Sequence, residues 1–132
     1  MIEVVAAVVI AGSRFLMVPR DDGDLAGLFE FPGGKVEPGE SWAEAVAREL
    51  VEELDLSVIP GAHLLTLEHD YPKKRVRLHF IACTPTPALT AWNPPPPAAW
   101  FTLTDSKRLD CCPADARALA LLPWRSILPE AP

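Results

Sequence analysis

Glu49, Glu52 and Glu53 are spaced so that, on a helix, all three carboxylates would share one face. With Glu49 at 0°, Glu53 lies about 40° to one side and Glu52 about 60° to the other. Like charges at this spacing cost a helix roughly 0.2–0.5 kcal/mol per pair, and a hard cation would remove that penalty. Mg²⁺ takes oxygen ligands in an octahedron and keeps positions open for water and phosphate, which suits carboxylates on rigid helix turns. The same acids could instead form an ordinary solvated face with Arg48 as counter-charge, and spacing alone does not separate the two readings.

The helix itself is well marked. Ser41-Trp42-Ala43-Glu44 has the form of a capping box, and Pro38-Gly39 stops any earlier start, so a helix is expected from Ser41 to about Asp55. Ala43, Val46, Ala47, Leu50 and Leu54 fall within about a 100° arc, a stripe expected to face the core, with the acids directed elsewhere. Before it, the apolar runs Val4 to Ile10 and Phe15 to Val18 read as buried strands joined by a hairpin turn at Ala11 to Arg14. A loop is expected around Arg20 to Leu25, and a glycine turn at Phe31-Pro32-Gly33-Gly34. After it, Leu56 to Tyr71 has strand-like patches, and Arg75, Arg77 and His79 alternate with Val76, Leu78 and Phe80, as in a strand with one buried face. Pro85, Pro87 and Pro94 to Pro97 predict an exposed connection in extended conformation. Trp100 to Leu103 resumes a strand, and Asp115 to Leu122, stopped by Pro123, gives a closing helix. Strands and helices mixed in this order predict an α+β or α/β/α arrangement.

The chain has 132 residues, 49% of them apolar and 23% charged, which is enough to bury a core and predicts one soluble domain over residues 1–132. A net charge of −6, with no basic run longer than Lys73-Lys74-Arg75, argues against a groove for duplex nucleic acid but allows a small phosphorylated ligand. No secretion signal or membrane span is expected, because the amino terminus lacks a basic segment ahead of an apolar one. Cys83, Cys111 and Cys112 fit neither a disulfide framework nor spaced zinc ligands, so reduced thiols in the cytoplasm are expected. The sequence does not specify an oligomeric state.

From Gly34 the chain reads glycine, five residues, Glu40, seven residues, then Arg48-Glu49-Leu50-Val51-Glu52-Glu53-Leu54-Asp55-Leu56. This resembles the Nudix box, departing from it at Asp55, where the family has a glycine; Asp tolerates a left-handed helix end better than most residues. Ile2 to Ala7 and Ala26 to Pro38 look like the MutT branch, especially its CTP pyrophosphohydrolase and 8-oxo-dGTP diphosphatase members. The resemblance implies an α/β fold, the Nudix α/β/α sandwich with a central mixed β-sheet. It implies an Mg²⁺-dependent hydrolase, with Mn²⁺ able to substitute, that splits a nucleoside triphosphate into monophosphate and pyrophosphate for nucleotide pool sanitation. Its partner would be a small nucleotide.

By motif position, Gly34, Glu49, Glu52 and Glu53 would hold metal, and Glu53, with Glu52 second, would activate water. Arg48 would orient a neighbouring glutamate, Glu40 would support the site, and Gly33 with Gly34 would allow close backbone approach. Lys35 would contact phosphate, and Arg20 and Phe31 would contact substrate. Asp115 would read the base, or else simply cap the last helix. An ionised Asp115 only accepts hydrogen bonds, which favours the amines of cytosine or adenine and points first to cytidine triphosphates, including 5-substituted or oxidised forms. MutT-like enzymes usually carry a further glutamate about six residues before the tryptophan matching Trp100. Here Pro94 stands there and no carboxylate lies between Asp70 and Asp105, which leaves water or a box glutamate to complete the metal shell. Another Nudix substrate, such as ADP-ribose or a dinucleoside polyphosphate, and a non-catalytic nucleotide-binding module are the alternatives.

Overall fold

The structure, a computed structural model, describes residues 1–86 and 92–129. Strands β1 (Ile2–Ala11), β2 (Arg14–Pro19), β3 (Phe29–Glu30) and β4 (Gly33–Lys35) precede helix α1 (Trp42–Leu54). Then come β5 (Val58–Tyr71), β6 (Lys74–Pro85), β7 (Ala99–Phe101), the helical turn α2 (Leu103–Ser106), helix α3 (Pro113–Leu121) and the turn α4 (Trp124–Ile127). The sheet runs in the order β3-β2-β1-β6-β5, with β4 also on β1 and β7 also on β2. β1 runs parallel to β6, from Ile2 opposite Val76 to Val9 opposite Cys83, while the other pairings are antiparallel. The sheet is therefore mixed, as expected.

β1 is apolar from Val4 onward because both its faces are covered. Val5, Ala7 and Val9 pack with Ala45, Val46 and Leu50 of α1, while Ala6 and Val8 pack with Ala114 and Ala118 of α3. Among the described residues no helix is long and apolar enough to cross a membrane.

α1 begins at the Ser41 capping box, with the Ser41 hydroxyl accepting from the Glu44 N–H at 3.0 Å and the Glu44 carboxylate from the Ser41 N–H at 2.9 Å. It ends at Asp55 in the left-handed region, φ 51° and ψ 38°, as the missing box glycine suggested. Its buried face differs from expectation: Ala45 is buried with Val46 and Leu50, whereas Ala43 is exposed beside an open hollow lined by Gly61 and His63.

Other expectations also need correction. Gly33-Gly34 is not a turn but strand β4, with Gly33 opposite Ala6 and Gly34 opposite Val5. A Cβ on Gly33 would overlap the Val5 carbonyl, so glycine serves close approach of two backbones here. His79 departs from the alternation of β6 and is 2% exposed. The Trp42 ring stacks on it with centroids 3.8 Å apart, and Glu3 Oε1 and Thr66 Oγ1 bond its two ring nitrogens at 2.8 and 3.0 Å. The strand at Trp100 ends at Phe101, because Thr102 caps the turn α2. α3 starts at Pro113 rather than Asp115, and Pro123 is followed by one more helical turn. Pro85 closes β6, Pro95 to Pro97 are exposed, Pro94 is half-buried, and Pro87 lies outside the described residues.

Candidate active site

Four ion pairs converge on Arg48. Its Nε donates to Glu40 Oε2 at 2.7 Å, its Nη1 to Glu49 Oε1 at 3.0 Å and Glu52 Oε2 at 3.2 Å, and Glu37 Oε1 lies 3.7 Å from the same Nη1. Its Nη2 donates to Glu40 Oε1 and to the Lys35 carbonyl, both at 2.9 Å. The helix thereby ties its acids to β4. The Arg48 bonds, joined by the Glu37 N–H, hold the Glu40 carboxyl down at about 2. Arg48 itself is pushed above its ordinary value, chiefly by the Glu40 bonds.

The three box acids occupy different surroundings. Glu49 lies over β4, where a Cβ on Gly34 would overlap its carboxyl group, so only glycine leaves room for it. Glu52 is exposed and reaches back to Arg48. Glu53 opens into a cleft of about 730 Å³ that Gly34 and Lys35 also line. Glu53 as a residue is exposed, yet burial of its carboxyl group, with the charges of Glu49, Glu30, Asp21 and Glu52, raises its pKa to about 7.

The same cleft brings in Arg20, Phe31 and Asp115. Arg20 Nη1 lies 3.3 Å from Glu30 Oε1 and its Nε 3.7 Å from Asp22 Oδ1. Burial raises the Glu30 pKa, and the Arg20 charge only partly offsets it. The Phe31 ring is spent in the core, stacked near Phe15 and Trp124 and edge-on to Phe80. Its backbone N–H donates to Asp115 Oδ1 at 3.0 Å. Asp115 is 4% exposed in the first turn of α3, but the N-cap residue is Cys112, with no side-chain bond, so the alternative that Asp115 is that helix's N-cap does not hold. Burial pushes its carboxyl group up to about 7 against the opposing Phe31 bond.

Sequence reasoning missed Glu30, Tyr71 and Cys112, which come from three separate elements. Glu30, Cys112 and Asp115 can bring one ligand atom each within 4.8 Å of one another. Arg20 supplies a positive charge to Glu30 there, as Arg48 does to Glu49 and Glu52 on α1. One donor of this group is the Cys112 sulfur, and burial pushes that thiol up to about 12, away from the thiolate that binds metal, whereas the α1 acids offer oxygen alone. Tyr71 stands close enough to Asp115 for that charge, after burial, to help raise its phenol to about 12. Glu30 sits directly before Phe31 in the stretch that carries the family likeness, the one signal that could have singled it out.

The donor set of Glu49, Glu52 and Glu53 offers oxygen alone, and the side-chain-free cradle at Gly34 admits the Glu49 carboxylate to the main chain. These residues fit a hard divalent cation.

Fold and site define a class: an α/β/α sandwich whose carboxylate-bearing helix borders a cleft large enough for a nucleotide. The model of the NUDIX domain matches residues 1–122, and the chain belongs to that family. It is 41% identical over 80 residues to the CTP pyrophosphohydrolase of Escherichia coli K12, covering 60% of this chain and 59% of that protein. It is 31% identical over 107 residues to the 8-oxo-dGTP diphosphatase of the same strain, covering 76% of this chain and 78% of that protein. The matches span 59% and 54% of the first two curated relatives, so more than two fifths of their length lies outside the likeness. The solution structure of the E. coli ORF135 protein superposes with a TM-score of 0.75 at 30% identity, covering 91% of this chain and 86% of that one. A MutT NUDIX hydrolase from Burkholderia pseudomallei has the same fold, with a TM-score of 0.75 at 23% identity over 91% of this chain and 96% of that one.

Proposed function

We propose that residues 1–132 form one Nudix domain acting as an Mg²⁺-dependent nucleoside triphosphate pyrophosphohydrolase, with Mn²⁺ able to substitute. The observation that carries this reading is the shared cleft, which puts Glu53, Gly34 and Lys35 in one space with Arg20 and Asp115. Glu49, Glu52, Glu53 and the Gly34 backbone would hold the cation. When bound, it neutralises phosphate charge and favours an in-line geometry. Glu53 would accept the proton of the attacking water; its pKa of about 7 belongs to the site without a cation, whose charge would lower it. Arg48 keeps Glu49 and Glu52 in place, while Lys35 and Arg20 meet the phosphates. Water attacks the β-phosphorus, so solvent oxygen ends in pyrophosphate.

Asp115 reads the base. The Phe31 N–H uses one acceptor position of its carboxylate and leaves lone pairs for an exocyclic amine. This favours cytidine triphosphates and their modified forms, and the two E. coli relatives, named for CTP and 8-oxo-dGTP, support a triphosphate. Three free thiols are compatible with a reducing cytoplasm, where the enzyme would sanitise the nucleotide pool.

A panel of nucleotides, with pyrophosphate and inorganic phosphate measured separately, tests the reading. Pyrophosphate should appear with a nucleoside monophosphate, fastest from a cytidine or oxidised triphosphate. A second reading rests on a relative named ADP-ribose pyrophosphatase, 37% identical over 70 residues. Preference for ADP-ribose would favour it, and binding without turnover would mean a nucleotide-binding module.

A further inference from the structure

Helix α1 must hold Glu53 steady at its last turn, yet a helix end leaves carbonyls without partners. The left-handed close at Asp55 satisfies two of them, with Asp55 N–H donating to the Val51 carbonyl at 3.0 Å and Leu56 N–H to the Leu50 carbonyl at 3.3 Å. The Leu54 carbonyl, one residue beyond Glu53, is bonded from a different part of the chain. The Trp92 indole Nε1–H donates to it at 2.8 Å. Trp92 is half-buried, packs against the same core cluster as Leu54 and Leu50, and meets Trp100 edge-on with centroids 6.1 Å apart. Trp100 is in turn fixed opposite Leu16 in β2. A rigid path therefore leads from the sheet through two indoles to the end of the acid-bearing helix. It leaves from the connection in which Pro94 stands and no carboxylate is available.

We propose that Trp92 is a positioning residue for the metal-binding face: its indole N–H, through the Leu54 carbonyl, fixes the last turn of α1 and with it Glu53. This connection then contributes to the site a neutral hydrogen bond to the helix end instead of a carboxylate to the cation. The proposal rests on the functional reading above. Outer partners that orient ligands are worth roughly 10–100-fold in metal affinity or activity.

The test compares Trp92→Phe with Trp100→Phe in the full chain. Both trim an indole from the same cluster, but no hydrogen bond from the Trp100 indole is found among the described residues, so only the first loses a link to α1. Mn²⁺ binding, followed by electron paramagnetic resonance, should weaken roughly 10–100-fold in Trp92→Phe and stay near wild type in Trp100→Phe. In Trp92→Phe, kcat should fall with the nucleotide KM unchanged. Replacing Trp92 by 3-benzothienylalanine, which keeps the shape and removes the N–H, should reproduce the loss even where the Phe variant folds poorly. Wild-type Mn²⁺ affinity in the benzothienyl variant would overturn the proposal, as would losses in both Phe variants that simply follow their Tm. A wild-type chain that hydrolyses no nucleotide would defeat the functional reading, while the Mn²⁺ comparison would still decide the role of Trp92.

Discussion

With its pKa at about 7, Glu53, as the cation ligand proposed above, would bind a proton and a cation in competition at neutral pH. The cation requires the ionised form, so the sign follows directly: below pH 7 the proton is held and Mg²⁺ must displace it, and above pH 7 the penalty vanishes. Titration calorimetry should show Mg²⁺ affinity rising by about tenfold per unit as pH climbs towards 7, then levelling. Glu53→Gln should bind weakly with little pH dependence. A flat profile in the wild type would mean that Glu53 does not meet the cation. At this scale the acidic face of α1 was legible, because helix geometry places residues three and four apart together without knowledge of the rest of the fold. Glu30, Tyr71 and Cys112 were not, since only the packing of β3, β5 and α3 brings Glu30 and Tyr71 to the cleft and sets Cys112 beside Glu30 and Asp115.

Elements differ in how much of themselves they write into the sequence. α1 was readable at both ends, since the capping box and the left-handed Asp55 are local chemistry. β4 was not readable: Gly-Gly-Lys has no strand propensity, and its extended form is imposed by pairing with β1. The two glycines of β4 have separate tasks. Gly34→Ala would set a methyl group where the Glu49 carboxyl now lies, so the expected result is a folded protein whose Mg²⁺ affinity and turnover are severely reduced. Gly33→Ala would push against the Val5 backbone, which cannot swing aside, and should lower Tm instead. Metal binding by Gly34→Ala equal to wild type would show that Glu49 has room to spare and that the cradle is unimportant.

Across the whole molecule, the proposed substrate selection would depend on Asp115, which α3 delivers to the cleft from the opposite face of the sheet to α1. That meeting could be expected from the family likeness and not from periodicity, and the bond to the Phe31 N–H was visible only in the structure. Asp115→Asn keeps the acceptor for that bond and adds a donor, so kcat/KM should shift from CTP towards 8-oxo-dGTP by roughly 1–3 kcal/mol for one good contact. Unchanged ratios across CTP, dATP and 8-oxo-dGTP would remove Asp115 from base reading. A pKa of about 7 also lets Asp115 itself carry a proton below neutrality, and the wild-type preference should then move in the same direction as pH falls.

The central claim is that the Glu53 face of α1, loaded with Mg²⁺, splits a nucleoside triphosphate. It is tested most directly by the rate of pyrophosphate release from CTP and 8-oxo-dGTP by wild type and Glu53→Gln, each across an Mg²⁺ titration and after chelation. Release by the wild type should rise with Mg²⁺ and stop with chelator. Glu53→Gln should keep its fold and lose turnover by orders of magnitude. Full activity of Glu53→Gln, or pyrophosphate release that persists after chelation, would contradict the claim.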